Sequence, residues 1–358
     1  MEIIKRREEP GHGINLFMVK ENGKVKIKAS TREKVGNSTF TAPLDVHVAV
    51  TNKCNMECEY CYAKDKSFLE QHDMSLQEVK DMIDKCNNAN VFKLTWSGGE
   101  PLCRPDILLI LQYAGEKGFQ QHMITNGMLL EEENIKWLKK FNVLVQISLH
   151  EISDAVFWEK CKLLVESGID TVVDVVMEKN LQEKVASVVE MCRKVGIKKI
   201  KFGPIIPMGQ AKGLVNIQEY KSVIEKLLGE ISECRKDDIK IVTQFDRHEY
   251  RCAMQSLELR ELLCEGASTL MYIDNNGDVY PCPLLKEYEE FKAGNIVRDS
   301  IESVWLADSM QEYRAISIED TGCLDCGQIC GVWCRGLTLA YTGDVKAHSP
   351  FCKNTRNL

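Results

Sequence analysis

From Asp45 to about residue 245 the chain repeats one pattern: a short apolar or β-branched run, then an amphipathic stretch of helical period. The runs fall at 46–50, 92–96, 122–124, 143–149, 171–177 and 199–202, and a last one at 239–245 closes the series. Helical periodicity fills the gaps at about 106–117, 131–140, 157–167, 183–195 and 217–234. Ser75-Leu-Gln-Glu78 opens the earliest helix as a capping box, and Val79, Met82, Ile83 and Cys86 follow at helical spacing. Such alternation builds right-handed parallel units and leaves functional loops at the carboxyl ends of the strands. Six units are too few to close an eight-fold barrel. The expected fold is α/β, a partial (β/α)6 TIM-like barrel.

Near residue 250 the pattern stops. Residues 270–282 read as a hairpin turning at Asn276-Gly277, and cysteine-rich loops follow. The expected division is an N-terminal extension at 1–44, the barrel at 45–250 and a small cysteine-rich domain at 251–358. Within the extension, 14–20 and 24–28 read as a hairpin around Asn22-Gly23. Hydrophobic residues at 44% and charged ones at 28% fit a folded enzyme, and a net charge of −7 argues against nucleic acid or an anionic membrane surface as partner. The polar start MEIIKRREEPGHG has no export-type apolar segment, and no run approaches the length of a membrane span, so the expected location is cytoplasmic.

That location gives the 16 cysteines their meaning. Reduced, clustered thiols hold metal or do catalysis, whereas Cys86 and Cys192, at apolar helical positions, read as small core residues. Cys54-x3-Cys58-x2-Cys61 follows the opening strand and supplies three thiolates. A structural zinc site closes with four ligands; an iron-sulfur cluster on three thiolates leaves one iron open. With Tyr60 just before the last cysteine, this spacing resembles the signature of radical S-adenosylmethionine (SAM) enzymes. Gly98-Gly99-Glu100-Pro101 resembles that family's SAM amino-group segment, with small residues for close approach and Glu100 as acceptor. Thr125, Asn126 and Ser148 stand where such enzymes contact substrate or SAM, and Gly203-Pro204 with Pro207-Met208-Gly209 resembles the adenine-lining segment. The resemblance implies reductive cleavage of SAM to a 5′-deoxyadenosyl radical that takes a hydrogen atom from the substrate, fed by an electron donor such as flavodoxin or ferredoxin.

Cys264 and Cys282, then Cys323, Cys326, Cys330, Cys334 and Cys352, resemble the SPASM extension, which carries up to two auxiliary 4Fe-4S clusters. Gly294-Asn295-Ile296, Trp305 and Thr342-Gly343-Asp344 stand where that extension has similar residues, while the gap between Cys326 and Cys330 is shorter than usual. The resemblance assigns Cys323, Cys326, Cys330 and Cys352 to an outer cluster and Cys264, Cys282 and Cys334 to an inner one. The inner cluster's fourth ligand is either Cys252 or an open position. Two zinc sites are the alternative for these cysteines.

SPASM enzymes mostly mature ribosomally made peptides, so the expected activity is thioether or carbon-carbon crosslinking of a precursor peptide. Sulfatase maturation competes, but enzymes of that group have an Asp after the extension's second cysteine, and here Pro283 follows Cys282. A non-catalytic electron carrier has no use for a SAM-binding segment. Lys24, Lys26 and Lys28 alternate onto one face that could pair with an acidic leader, or the hairpin could cover the barrel floor. His47 reads as a hydrogen-bonded core residue, His150 as equally able to face the cavity, Glu131 to Glu133 as a helix start, and Asp246 to Glu249 as possible cleft residues.

Overall fold

The structure is a computed structural model, which describes residues 2–9, 14–21, 24–31, 40–64, 72–236, 238–245, 264–317, 319–321 and 334–351. The barrel strands are β4 (Asp45–Thr51), β5 (Lys93–Gly98), β6 (Gln120–Thr125), β7 (Val143–Leu149), β8 (Thr171–Met177), β9 (Lys199–Pro204) and β10 (Lys240–Thr243), each paired in parallel with the next. Helices α1 (Leu76–Asn88), α2 (Ile107–Glu116), α3 (Glu132–Lys140), α4 (Ala155–Glu166), α5 (Val185–Val195) and α6 (Ile217–Cys234) connect them. The partial barrel read from the sequence is thus present. Ser75 caps α1 as expected, and Val79, Met82, Ile83 and Cys86 are its buried face. Each large apolar side chain so buried contributes about 1.5–3 kcal/mol.

The two faces of the sheet differ. Val46, Val48, Leu94, Trp96, Met123, Val145, Val173, Ile200 and Phe202 point to the helices and are excluded from water. On the other face Asp45 accepts from Lys93 at 2.7 Å and Thr95 at 3.1 Å, and Asp174 accepts from Gln146 at 2.7 Å, with Lys201 at 3.5 Å. His47 stands 3.3 Å from Asp45, so it is hydrogen-bonded as expected. This face therefore carries charged and polar side chains that pair with one another, in contrast to the apolar helix-facing side.

The N-terminal residues form three strands, β1 (Glu2–Glu9), β2 (Ile14–Glu21) and β3 (Lys24–Thr31), in one antiparallel sheet of that order. The sequence reading saw a two-stranded hairpin and missed β1, whose EIIKRREE pattern is too charged to read as buried. Lys5, Arg7 and Glu9 are nonetheless taken up by partners. Arg7 is 5% exposed, pairs with Glu9 at 2.6 Å and donates to the carbonyls of Pro43, Ala42 and Asn90. Lys5 donates to Asn87 and to the carbonyl of Val91, with its ammonium 3.4 Å from the Phe119 ring centre. These partners precede β5 and β6, so the small sheet sits on the amino end of the barrel.

After residue 263 the chain returns to the first barrel strand. β11 (Leu270–Ile273) pairs in parallel with β4, with Tyr272 opposite His47, and continues antiparallel through β12 (Asp278–Tyr280) to β13 (Gly294–Asn295). The 276–277 turn is present, Gly277 at φ +90°. What the sequence did not reveal is that this hairpin extends the barrel sheet to ten strands. Helices α7 (Ile301–Trp305), α8 (Asp308–Arg314) and α9 (Arg335–Thr342) complete the described extension. Among the described residues no helix is long and apolar enough to cross a membrane.

Candidate iron-sulfur and SAM site

The cysteine loop leaves the carboxyl end of β4 and is pinned from both sides. Gly98 has φ +122°, and a Cβ there would lie 2.3 Å from the Thr51 carbonyl oxygen; one on Gly99 would lie 2.3 Å from that of Lys53. Only glycine lets the end of β5 run this close to the loop, where the N–H groups of Gly99 and Glu100 donate to those same carbonyls at 2.8 Å. On the other side Gln210 N–H donates to the Cys61 carbonyl at 3.0 Å, and Gly209, at φ +55°, abuts the Tyr62 carbonyl. The glycine-rich and 207–209 segments noticed in the sequence are thus both in contact with the loop.

Glu100, 1% exposed, ties two strand ends together. One carboxylate oxygen accepts from Thr125 Oγ1 at 2.7 Å and Leu102 N–H at 3.0 Å, and the other from Asn126 N–H at 2.7 Å. Burial pushes this carboxyl up, opposed by those three donors. A carboxylate has about four acceptor positions, and these donors fill three of them. Asn126 in turn donates to Asn55 at 2.8 Å and lies 4.0 Å from the Cys54 sulfur. Ser148, on β7, stands in register with Asp174.

Cys54 is exposed and Cys58 and Cys61 half-buried, all as free thiols. Burial first, then the neighbouring Cys61 and Cys54, pushes the Cys58 thiol up to about 11. Mutually repelling thiolates in one loop call for a cation, the condition a positively charged iron-sulfur core meets. Among the described residues no group of three His, Cys, Asp or Glu side chains is arranged to hold a single metal ion. His150 does face the site. It stacks on Tyr60 and lies 3.7 Å from the Cys58 sulfur. Burial lowers the imidazole and raises the Tyr60 phenol, so the phenol donates and Nδ1 accepts, at 2.5 Å.

A second group of thiols assembles in the extension. Cys264 and Cys334 are partly buried and Cys282 is buried, each within electrostatic range of another. Cys334 is the cap residue just before α9, where the backbone N–H groups of Leu337 and Gly336 favour its thiolate, as that of Leu284 does for Cys282. Gly336 makes this approach possible, since a Cβ there would lie 2.8 Å from Leu284 and 3.3 Å from the Cys282 sulfur. Cys252, Cys323, Cys326, Cys330 and Cys352, and the stretch Asp246 to Glu249, lie outside the described residues.

Sequence reasoning missed several contributors. Asp73 accepts from Thr51, Asn52 and Asn275 at 2.6–3.1 Å, joining the loop base to the extension. Lys286 donates to the Ala63 carbonyl and Glu287 accepts from Gly209 N–H, so the extension also holds the loop's far end. Cys103, a half-buried thiol bonded to Asn55 N–H, lies within electrostatic range of Cys54. Spacing offered no signal for any of these, because their partners are remote in the chain.

Residues 48–210 match the model of the radical SAM superfamily, and residues 264–327 match that of SPASM, an iron-sulfur cluster-binding domain. The chain is 27% identical over 290 residues to the antilisterial bacteriocin subtilosin biosynthesis protein AlbA of Bacillus subtilis, covering 75% of this chain and 61% of that protein. It is 22% identical over 335 residues to the AdoMet-dependent heme synthase of Nitratidesulfovibrio vulgaris, covering 85% and 90%. Its fold matches Streptococcus suis SuiB bound to the precursor peptide SuiA with a TM-score of 0.70 at 18% identity, covering 88% and 77%.

Proposed function

Because the chain belongs to the radical SAM superfamily and carries a SPASM extension, we propose that it is a peptide maturase, acting on a ribosomally made precursor peptide and forming a thioether or carbon-carbon crosslink. The observation that carries this reading is the convergence of Cys54, Cys58 and Cys61 with Glu100 at the carboxyl ends of the barrel strands, beside a second thiol set in the extension. The similarity to a bacteriocin biosynthesis protein supports a peptide substrate. When bound, the cluster of the three-cysteine loop and SAM supply an electron and an organic radical able to take a hydrogen atom from the substrate.

The chain's own residues do the positioning. Cys54, Cys58 and Cys61 hold the first cluster, and Cys264, Cys282 and Cys334 the inner auxiliary one. Cys323, Cys326, Cys330 and Cys352 belong to the outer one. Gly98 and Gly99 bring backbone against the SAM site, and Glu100 presents its remaining acceptor to the SAM ammonium. Thr125, Asn126, Ser148 and Tyr60 line the same mouth, and the Tyr60–His150 pair walls the Cys58 side from water. An electron donor such as flavodoxin or ferredoxin completes the system. The division into 1–44, 45–250 and 251–358 separates a floor, a catalytic barrel and an electron-handling extension. β1 seats the small sheet at the end opposite the mouth, which favours a floor role over leader capture; removing residues 1–40 should leave KM for a full-length precursor unchanged.

Anaerobically reconstituted protein given dithionite and SAM should release 5′-deoxyadenosine. A chain that makes none with its first cluster occupied is an electron carrier and not an enzyme. Co-expression with a short peptide encoded beside the gene, followed by mass spectrometry, should show two hydrogens lost per crosslink. An unmodified peptide together with turnover of a tetrapyrrole or a sulfatase would move the substrate assignment.

A further inference from the structure

The inner thiol group contains one member that is not a cysteine. Tyr313, on α8, is 3% exposed, and its hydroxyl lies 3.6 Å from the Cys264 sulfur. The Cys282 thiol lies within electrostatic range of the same phenol. The ring has no freedom to turn elsewhere: Phe291 packs edge-on at 5.8 Å, and a Cβ on Gly266 would stand 3.1 Å from it. A buried phenol normally finds an oxygen or a water. This one meets a sulfur.

We propose that Tyr313 is a positioning residue of the inner auxiliary site, donating its buried hydroxyl to the Cys264 sulfur and thereby raising that cluster's reduction potential. The inference rests on the assignment of Cys264, Cys282 and Cys334 as ligands. A cluster thiolate has lone pairs and no proton, so the hydroxyl must be the donor. Reduction adds negative charge to the cluster, and that charge is shared by its sulfurs. A donor ending on one of them stabilises the reduced state more than the oxidised one and moves the potential upward. Backbone N–H groups already favour the thiolates of Cys282 and Cys334. Of the donors to this group, Tyr313 is the one that a side-chain substitution removes without touching the backbone.

The test is a redox titration of full-length, anaerobically reconstituted protein, followed by electron paramagnetic resonance, with Tyr313→Phe compared to wild type. Phenylalanine keeps the ring and deletes the hydroxyl. The expected result is a full iron and sulfide complement, one auxiliary signal shifted to more negative potential, and no shift in the signal that responds to SAM. Unchanged potentials overturn the proposal. Loss of iron from the variant also overturns it, since that makes the phenol a ligand or a structural prop and not a donor. Should the variant fail to fold, wild-type protein carrying ring-deuterated tyrosine replaces it. Deuteron couplings on an auxiliary signal support the ring's placement, and their absence rejects it. Cys282→Ser separates the two layers of argument: if it keeps all auxiliary iron, the ligand assignment falls and the proposal with it. If it loses that iron while Tyr313→Phe shifts nothing, the proposal alone falls.

Discussion

Cys54, Cys58 and Cys61 and the group of Cys264, Cys282 and Cys334 use the same functional group in opposite surroundings. The mouth thiols sit on an irregular loop, one of them exposed, and their neighbours are side chains delivered by other strands: Asn126 from β6 and His150 from β7. The inner thiols are more buried, beside α8 and the start of α9, and a buried phenol meets one of them while backbone N–H groups favour the thiolates of the other two. An exposed thiol set can meet a cofactor and a substrate directly; a more buried set is suited to holding a group within the protein and tuning it. Burial is the leading cause of the thiol shifts in both, pushing Cys58 up to about 11 and Cys334 up to about 12.

The sharpest way to break this contrast is to remove one thiol from each set. Cys58→Ser should lower 5′-deoxyadenosine formation by at least about 10³-fold, with the auxiliary clusters' roughly eight irons retained. Cys282→Ser should instead lose about four irons and abolish peptide modification, while the SAM-induced spectral change at the mouth persists. If each variant erases both signals, the two sites are one cooperative unit and the contrast fails.

A smaller effect is expected at Glu100. Glu100→Gln keeps the shape and removes the charge, and a hydrogen bond to a charged group is worth about 1.5–3 kcal/mol, so SAM should bind about 10- to 100-fold more weakly. Isothermal titration of the reconstituted protein reads this directly, and unchanged affinity would leave Glu100 as a strut between β5 and β6 alone. Gly99→Ala and Gly336→Ala form a matched pair, since each forces a methyl group into contact with backbone or side chain at its own site. Each should cost about 1–3 kcal/mol by overpacking and depress only its own iron signal. Crossed effects would show that the extension and the mouth share strain, by way of Lys286 and Ala63.

The weakest discriminator is pH. In iron-free protein a buried thiol is held neutral, so its contribution to stability is complete below the ordinary thiol value near 9 and is lost as pH rises toward its raised value, about 12 for Cys334 and about 11 for Cys58. Alkaline unfolding of the apoprotein should therefore begin above about pH 9. The more deeply buried inner set should contribute the larger part of the loss. Bound iron keeps the thiols deprotonated, so loaded protein should not show this alkaline loss. A pH-independent apoprotein stability between 9 and 11 would remove the electrostatic half of the comparison.

Much of the barrel was readable because its signals are local. A capping box at Ser75, β-branched runs and glycines at strand ends act over a few residues, and Cys54-x3-Cys58-x2-Cys61 is itself a local spacing. β1 was not readable, since its Arg7 and Glu9 look exposed until each is seen to neutralise the other against the barrel floor. Asp73 and Tyr313 gave no signal for a related reason. Their meaning lies in partners up to 202 residues away for Asp73 and 49 for Tyr313.

The sequence by itself determined the class of chemistry its motifs resemble and the order of the barrel's strands and helices, because ligand spacing and hydrophobic period are properties of neighbouring residues. Only the tertiary structure decided that the extension's hairpin joins the barrel sheet beside β4, that Glu100 commits most of its acceptors to Thr125, Asn126 and Leu102, and that a phenol stands among the inner thiols. Those outcomes depend on long-range packing, in which a side chain's role is set by whichever distant groups burial brings within hydrogen-bonding distance.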